Sequence, residues 1–445
     1  MAKGFDMKHT KVQRKTHSLM VIAVVSFLFL FSIENSFAQS FPKASPESVG
    51  LSSERLDRVD ALFESYMADD RMAGAVIAIA RDGKLAHFQT IGGMDMQDTQ
   101  PMRGDAIFRM ASMTKPITST AVLMLYEEGH FQLEDPVSWY IPELAGMTAE
   151  SEEDGPNREM SIRDLLMHTS GLPGNGQDPE HNEIWRNLDL TLQEQVAELG
   201  QESLAYSPGT DWRYSEATNV LGYFIEVLSG KPFNVFLSER IFGPLGMVDT
   251  DFFVPQYKAH RLPAVYGGTR EGVTEELWVE PRESELRMPK APRGTGGLFS
   301  TAHDYLRFSQ MLLNGGELDG VRLLSPKTVE LMVADHLPSH MNLPGDYGNP
   351  LCRIIEVGIC QVTNNTIDSL GGYGFGLGVR VRTSLSESQF LGSVGEYGWA
   401  GAYGTYFFID PEEDLVAMFL VQLRSSGFFP IFRQFNNVVY QSIVN

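Results

Sequence analysis

Ser112 and Lys115 stand three residues apart in FRMASMTKPITSTAVLMLYEEG, residues 108–129, where an apolar, helix-like run begins. An α-helix puts residues i and i+3 on one face, with Cβ atoms about 5–6 Å apart. With Ser112 in the first turn, a hydroxyl and an amine would share one space. They would sit beside backbone N–H groups that lack an intrahelical partner and carry the positive end of the helix dipole. Such N–H groups suit a developing oxyanion. A serine hydroxyl is a poor nucleophile until something takes its proton. A lysine can take it once burial or a cationic neighbour brings its pKa down from about 10.4 toward neutrality. The spacing alone is weak, since a capping serine and a solvated lysine fit it equally well. The apolar run after Lys115 favours a buried amine, and Pro116 is tolerable only near a helix start.

These residues need a frame. In ERLDRVDALFESYM, residues 54–67, Leu56, Val59, Leu62, Phe63, Tyr66 and Met67 form one helical stripe, with Ser52 and Ser53 as caps. AGAVIAIARDGKLAHFQTIG reads as two strands joined by a tight turn at Asp82-Gly83. Near the C-terminus GTYFFIDPEEDLVAMFLVQL reads as strand, acidic turn, strand. PIFRQFNNVVYQSIV follows, with Ile431, Phe435, Val438, Val439 and Ile443 at helical spacing. The expected fold is α/β (α+β): an antiparallel sheet flanked by terminal helices, with a mostly helical insertion. SIRDLLMHTSGLP and EATNVLGYFIEVLSGKPFNVFLSERIF are the clearest helical runs of that insertion. No repeat or low-complexity linker divides the chain. One catalytic module over 39–445 is expected, its α/β part at about 45–111 and 291–445 and its helical part at about 112–290.

Composition bounds the rest. The chain has 445 residues, 43% hydrophobic and 11% aromatic, enough for a large core. Residues 1–38 combine a basic leader, the apolar run LMVIAVVSFLFLF and small residues at Ser36 and Ala38. That is the pattern of a secretory signal cut after Ala38, and the run is short for a membrane-spanning helix. A secreted or periplasmic protein without membrane insertion after cleavage is expected. Residues 1–38 hold five Lys/Arg and two Asp/Glu, leaving 30 basic and 55 acidic residues and a net charge of −25. Such a surface argues against nucleic acid or an anionic membrane as partner. Cys352 and Cys360 fit a local disulfide in an exported chain, or two buried thiols. No spacing of His, Cys, Asp and Glu suggests a metal, and no cofactor is expected.

FRMASMTKPITS, SIRDLLMHTSGLP, SPGTDWRYSEATNVLG, GTGGLFSTAHDYLRFSQMLLNGG and YGWAGAYGTYFFIDP follow one another in this order. From about residue 45 to the C-terminus the chain thereby resembles the serine β-lactamase-related family. That family includes class C β-lactamases, D,D-peptidases, D-aminopeptidases and family VIII carboxylesterases. The resemblance implies a β-lactamase/transpeptidase-like fold. It implies Ser112 as the acylated residue, Lys115 as its partner and Tyr214 as the phenol that shuttles a proton to the leaving group. An adjacent ammonium would favour phenolate and lower the Tyr214 pKa from about 10. Trp399-Ala400-Gly401 matches the third motif, a strand edge lining the pocket. The N–H of Ala402, next on that strand, would join that of Ser112 as an oxyanion hole.

Two departures shape the expected substrate. The tyrosine motif of β-lactamases and peptidases commonly ends in Asn, and their third motif begins with Lys or His. Here those positions hold Glu216 and Trp399. A cation at the strand position helps to hold a substrate carboxylate, whereas Trp399 offers an apolar face. Glu216 adds repulsion if it points inward; it would otherwise serve as a base for deacylation or face solvent. Both changes favour a neutral acyl ester, and Trp399 also resembles the family VIII esterases. The expectation is a serine hydrolase working through an acyl-enzyme on small esters, or amides in the lactamase and peptidase alternatives. A transacylase and a non-catalytic penicillin-binding sensor rank lower. G-x-S-x-G does not occur, which argues against an α/β-hydrolase. His168 reads as a structural hydrogen-bonding residue, GGYGFGLGV as a strand near the pocket and NNT at 364–366 as a weak glycosylation match.

Overall fold

The computed structural model describes residues 41–445 apart from 98–99, 150–157, 174–183, 186, 188, 269–273, 339–340, 342–371, 389 and 425–429. The leader, Cys352 with Cys360, and the 364–366 match lie outside the described residues.

Helix α1 (Ser53–Ala68) begins after Ser52, whose side chain accepts a hydrogen bond from the Arg55 N–H, satisfying one of the orphan donors of the first turn. Leu56, Val59, Phe63 and Tyr66 are buried along its inner stripe, with Leu62 and Met67 half-buried at the border. Strands β1 (Gly74–Arg81) and β2 (Lys84–Gly92) follow. Asp82 and Gly83 join them at φ 53° and 67°. Two successive positive φ values make the mirror-image turn whose twist matches a hairpin.

The sheet is completed by β3 (Tyr373–Phe375), β4 (Arg380–Arg382), β5 (Tyr397–Ala400), β6 (Tyr406–Asp410) and β7 (Leu415–Leu420). Its order is β2-β1-β7-β6-β5-β4-β3, antiparallel at every step. β7 pairs with β1 from Val76–Leu420 to Arg81–Leu415, so early and late parts of the chain share one sheet. β1 is buried along its whole length because both of its neighbours are strands, whereas β2 at the edge is largely exposed.

Alternation along the strands divides two cores between the faces. Ala75, Ile77, Ile79, Phe408 and Phe419 pack against α1 and against α6 (Ile431–Tyr440). The Phe419 ring lies 5.1 Å from Phe63 and 4.9 Å from Phe435. Val76, Ala78, Phe407, Ile409 and Trp399 face the other way. That core is shared with α2 (Thr114–Glu127), α3 (Ile162–Met167), α4 (Ala217–Ser229) and α5 (Ala302–Leu313). The stretch 112–290 is helical in the main, but it also holds the hairpin Val265–Gly268 with Thr274–Trp278. Leu423–Arg424 pairs in parallel with the first strand of that hairpin. No helix among the described residues is long and apolar enough to cross a membrane.

Candidate active site

Ser112 does not open an α-helix as its spacing suggests. It occupies a 3-10 turn, Ala111–Met113, that runs directly into α2. The reason lies one residue earlier: Ala111 has φ 45°, a left-handed conformation costing a non-glycine residue about 1–2 kcal/mol. The neighbours hold it there. Phe108–Arg109 pairs with Phe299–Ser300, and the Met110 N–H donates to Leu298 O at 2.9 Å. Thr405 Oγ1 donates to Met110 O at 3.2 Å and Tyr305 Oη to Met113 O at 2.8 Å. The Arg109 guanidinium meets both oxygens of Glu285 at 2.7 Å, with side-chain exposures of 4% and 3%. A buried bidentate pair of this kind fixes geometry as well as charge.

The Lys115 side chain turns inward from the first turn of α2 and is 2% exposed. Its Nζ donates to Thr295 O at 2.7 Å and lies 3.3 Å from Ser112 Oγ. Burial pulls its pKa down to about 7; the Glu216 carboxylate opposes that fall and the Arg293 guanidinium adds to it. The amine therefore sheds its proton near neutrality, as a serine-activating base must.

Tyr214 closes the group. Its ring centre is 4.3 Å from Lys115 Nζ, and its hydroxyl is hydrogen-bonded with Ser112. Trp399 Nε1 donates to the same phenolic oxygen at 3.3 Å. The expected lowering of its pKa is overturned. Burial raises the phenol above its ordinary value and the Glu216 charge adds to the rise, while the bonds with Ser112 and Trp399 offset only part. An amine that is itself largely neutral above pH 7 supplies little ammonium to favour phenolate. Tyr214 is a proton donor in the resting site.

Glu216 does not face solvent. It is buried, and its Oε2 accepts from Asn219 Nδ2 at 2.5 Å and lies 3.4 Å from Thr295 Oγ1. Trp399 lies on β5 with its ring 5.7 Å from that of Tyr214 and 5.5 Å from Phe375. Gly401 packs so closely on the segment before Ser112 that a Cβ would sit 2.3 Å from Met110 O. Ala402 is not on the strand, which ends at Ala400, but in the turn that follows. Among the described residues neither the Ser112 nor the Ala402 N–H has a hydrogen-bond acceptor.

His168 caps α3 at φ 61°, where its Nδ1 accepts from the Ser215 N–H at 3.3 Å. A backbone N–H only donates, so Nδ1 is the acceptor and the ring proton sits on Nε2. Its ring is 4.8 Å from Tyr214, so it positions the tyrosine loop. Gly378, between β3 and β4, sits against α2, where a Cβ would meet Ser119 Oγ at 2.0 Å. Sequence reading missed Thr295 and Asn219. Both stand inside quoted motifs, GTGG and SEATN, but their tie to Lys115 spans distant parts of the chain. No group of three or more His, Cys, Asp or Glu able to hold a metal occurs among the described residues. A cavity of about 440 Å³ walled by Met94, His260, Leu262 and Leu286 shares none of these site residues.

The family model described as Beta-lactamase matches residues 59–434. The chain belongs to the beta-lactamase family. It is similar to Protein Rv1367c of Mycobacterium tuberculosis, at 34% identity over 79% of this chain and 86% of that one. It is similar to the esterase EstB of Burkholderia gladioli, at 29% identity over 83% and 91% of the two chains. Among solved structures, EstCE1, "a hydrolase with promiscuous acyltransferase activity", superposes with TM-score 0.72 at 25% identity over 87% of this chain and 98% of that one. With an esterase and a hydrolase among the proteins it resembles, this member of the family is a serine hydrolase.

Proposed function

We propose that the protein is a carboxylesterase that hydrolyses small neutral acyl esters through an acyl-enzyme on Ser112. The neutral Lys115 amine keeps an N–H on Thr295 O and takes the Ser112 proton as Oγ attacks the ester carbonyl. The tetrahedral oxyanion lies between the N–H groups of Ser112 and Ala402. On collapse, the leaving alkoxide takes the Tyr214 proton, and the Lys115 ammonium returns one to the phenolate. Water then enters, loses a proton along the same route and releases the acid, restoring Ser112.

The observation that carries the esterase reading is Trp399. Where a cation would hold a carboxylate stands an indole that donates to the Tyr214 hydroxyl and brings no charge. The likeness to EstB supports the same substrate class. Losing a charge-assisted contact costs about 1.5–3 kcal/mol. Turnover of p-nitrophenyl butyrate is therefore expected to exceed that of a chromogenic cephalosporin by about 10- to 100-fold in kcat/KM. Parity or a faster cephalosporin would make the protein a β-lactamase. Arg293, exposed yet close enough to oppose Lys115 protonation, would serve an anionic group, so a hemisuccinate ester outrunning the butyrate would shift the reading to anionic esters.

We also infer export, from the basic leader and apolar run before Ala38. Mass spectrometry of the protein from its host is expected to find Gln39 at the N-terminus. A leader retained on membranes would overturn it.

A further inference from the structure

Glu216 is a buried carboxylate two residues beyond Tyr214 that the hydrolytic steps above leave unused. Its surroundings form a short relay. A carboxylate only accepts hydrogen bonds, so Asn219 must turn Nδ2 toward Glu216 Oε2, at 2.5 Å. That leaves Asn219 Oδ1 facing the other way. There it accepts from the Thr295 N–H at 3.0 Å and from Thr295 Oγ1 at 2.9 Å. The Thr295 carbonyl in turn takes the Lys115 amine at 2.7 Å. The adjoining backbone is fixed as well. Thr118 Oγ1 donates to Gly294 O at 3.0 Å, and Gly296 lies flat against the Ala111 backbone, where a Cβ would come to 3.4 Å. Glu216, Asn219 and Thr295 are all buried, at 5%, 0% and 6% exposure.

We propose that Glu216 is a positioning residue whose carboxylate orients the Asn219 amide so that the Thr295 carbonyl holds Lys115 against Ser112. The proposal rests on the reading of Lys115 as the base. An amide at position 216 could present either its oxygen or its nitrogen to Asn219, so the orientation of Thr295 would no longer be dictated. The carboxylate also acts through its charge. Glu216 on the α4 side is the anion that opposes the loss of the Lys115 proton, and Arg293 on the turn before Phe299–Ser300 is the cation that promotes it. The Tyr214 phenol, with His168 behind it, faces Lys115 uncharged. Removing the Glu216 charge therefore leaves burial and Arg293 in control, and Lys115 deprotonates at lower pH.

The test is the pH profile of kcat/KM for p-nitrophenyl butyrate in wild type, Glu216→Gln and Glu216→Asp, with circular dichroism on each. In Glu216→Gln the acid limb is expected to move down by about 1 to 2 pH units, with a lowered plateau. Glu216→Asp keeps the charge on a stem too short for Asn219, so the limb should stay in place while the plateau falls about 10-fold, the range of a misplaced catalytic group. A folded Glu216→Gln with the wild-type limb overturns the proposal. So does a Glu216→Asp plateau equal to wild type, which keeps the test decisive where Glu216→Gln fails to fold. Ser112→Ala and Lys115→Met run in parallel: turnover surviving in those would sink the underlying mechanism instead, whatever the Glu216 variants do.

Discussion

Lys115→Met is expected to lower kcat for ester hydrolysis by about 10³-fold or more while making the protein more stable at pH 7. The two effects share one cause. Methionine fills the apolar channel of the lysine stem but cannot take the Ser112 proton across the 3.3 Å that separates Nζ from Oγ. Stability follows from proton linkage. An unfolded lysine holds its proton to about pH 10.4, whereas the native Lys115 holds it only to about 7. Between those values the unfolded chain binds the extra proton, so wild-type stability rises with pH across the window, and the cost of the buried charge is fully present below it. Methionine removes that cost, a gain of a few kcal/mol at pH 7, less about 1 kcal/mol for a Thr295 carbonyl left without its donor. Urea unfolding at pH 7 and pH 10 measures the difference, and the gain should shrink at the higher pH. In the kinetic profile the wild-type acid limb near pH 7 should vanish in the variant. A variant that is both active and destabilised at pH 7 would mean that Lys115 is an ordinary ion-pairing lysine.

What the sequence made legible was local. The stripe of α1, the Asp82-Gly83 turn and the helix from Ile431 depend on periodicity and turn chemistry, and each forms where the pattern puts it, except that the last helix stops at Tyr440 and leaves Ile443 beyond it, bridged to Leu51. The serine and lysine were legible because α2 starts between them and its apolar run buries the amine. The electrostatics were not. Whether Tyr214 is phenol or phenolate depends on how completely Trp399, Trp212 and His168 enclose it, with Phe375 packed against all three, and those rings come from four separate segments. For Glu216 the sequence left three places open, inward against the substrate, as a base, or in solvent, where most acids lie. Its partner Asn219 is one turn away, but Thr295 is 79 residues on. Likewise nothing local marks Arg109 and Glu285, 176 residues apart, as a buried pair close to Ser112 in the chain. Short-range patterns set where groups stand on their elements, and long-range packing decides which of them carry charge.

That division matters most at the second buried charge cluster, on the face of the sheet opposite Trp399. Arg380 and Arg382 point from β4 toward Glu396, which is 0% exposed. Arg382 Nη2 donates to Glu396 Oε2 at 3.1 Å, and Arg380 Nη2 lies 3.9 Å from Oε1. Tyr440, at the end of α6, brings its hydroxyl to Glu396 Oε2 at 2.9 Å and to Asp410 Oδ2 at 2.6 Å. The Nε atoms of both arginines have no partner among the described residues; their Nη atoms also meet the Tyr406 hydroxyl and the Phe390 and Leu391 carbonyls, but Glu396 is the carboxylate that faces both charges. Glu396→Ala removes the counter-charge and leaves two desolvated cations beside one remaining carboxylate, Asp410. Breaking a buried pair in this way costs about 3–5 kcal/mol, much of the stability of a typical domain. The double variant Arg382→Met with Glu396→Leu deletes a cation along with the anion and is expected to recover part of that loss, because a packed apolar pair replaces an ion pair at little net cost. Urea unfolding of the three proteins measures the order. In the fraction that stays folded, kcat should stay close to wild type, since the cluster touches none of Ser112, Lys115 or Tyr214. A Glu396→Ala protein as stable as wild type would mean that water reaches the arginines and the cluster is not a sealed core.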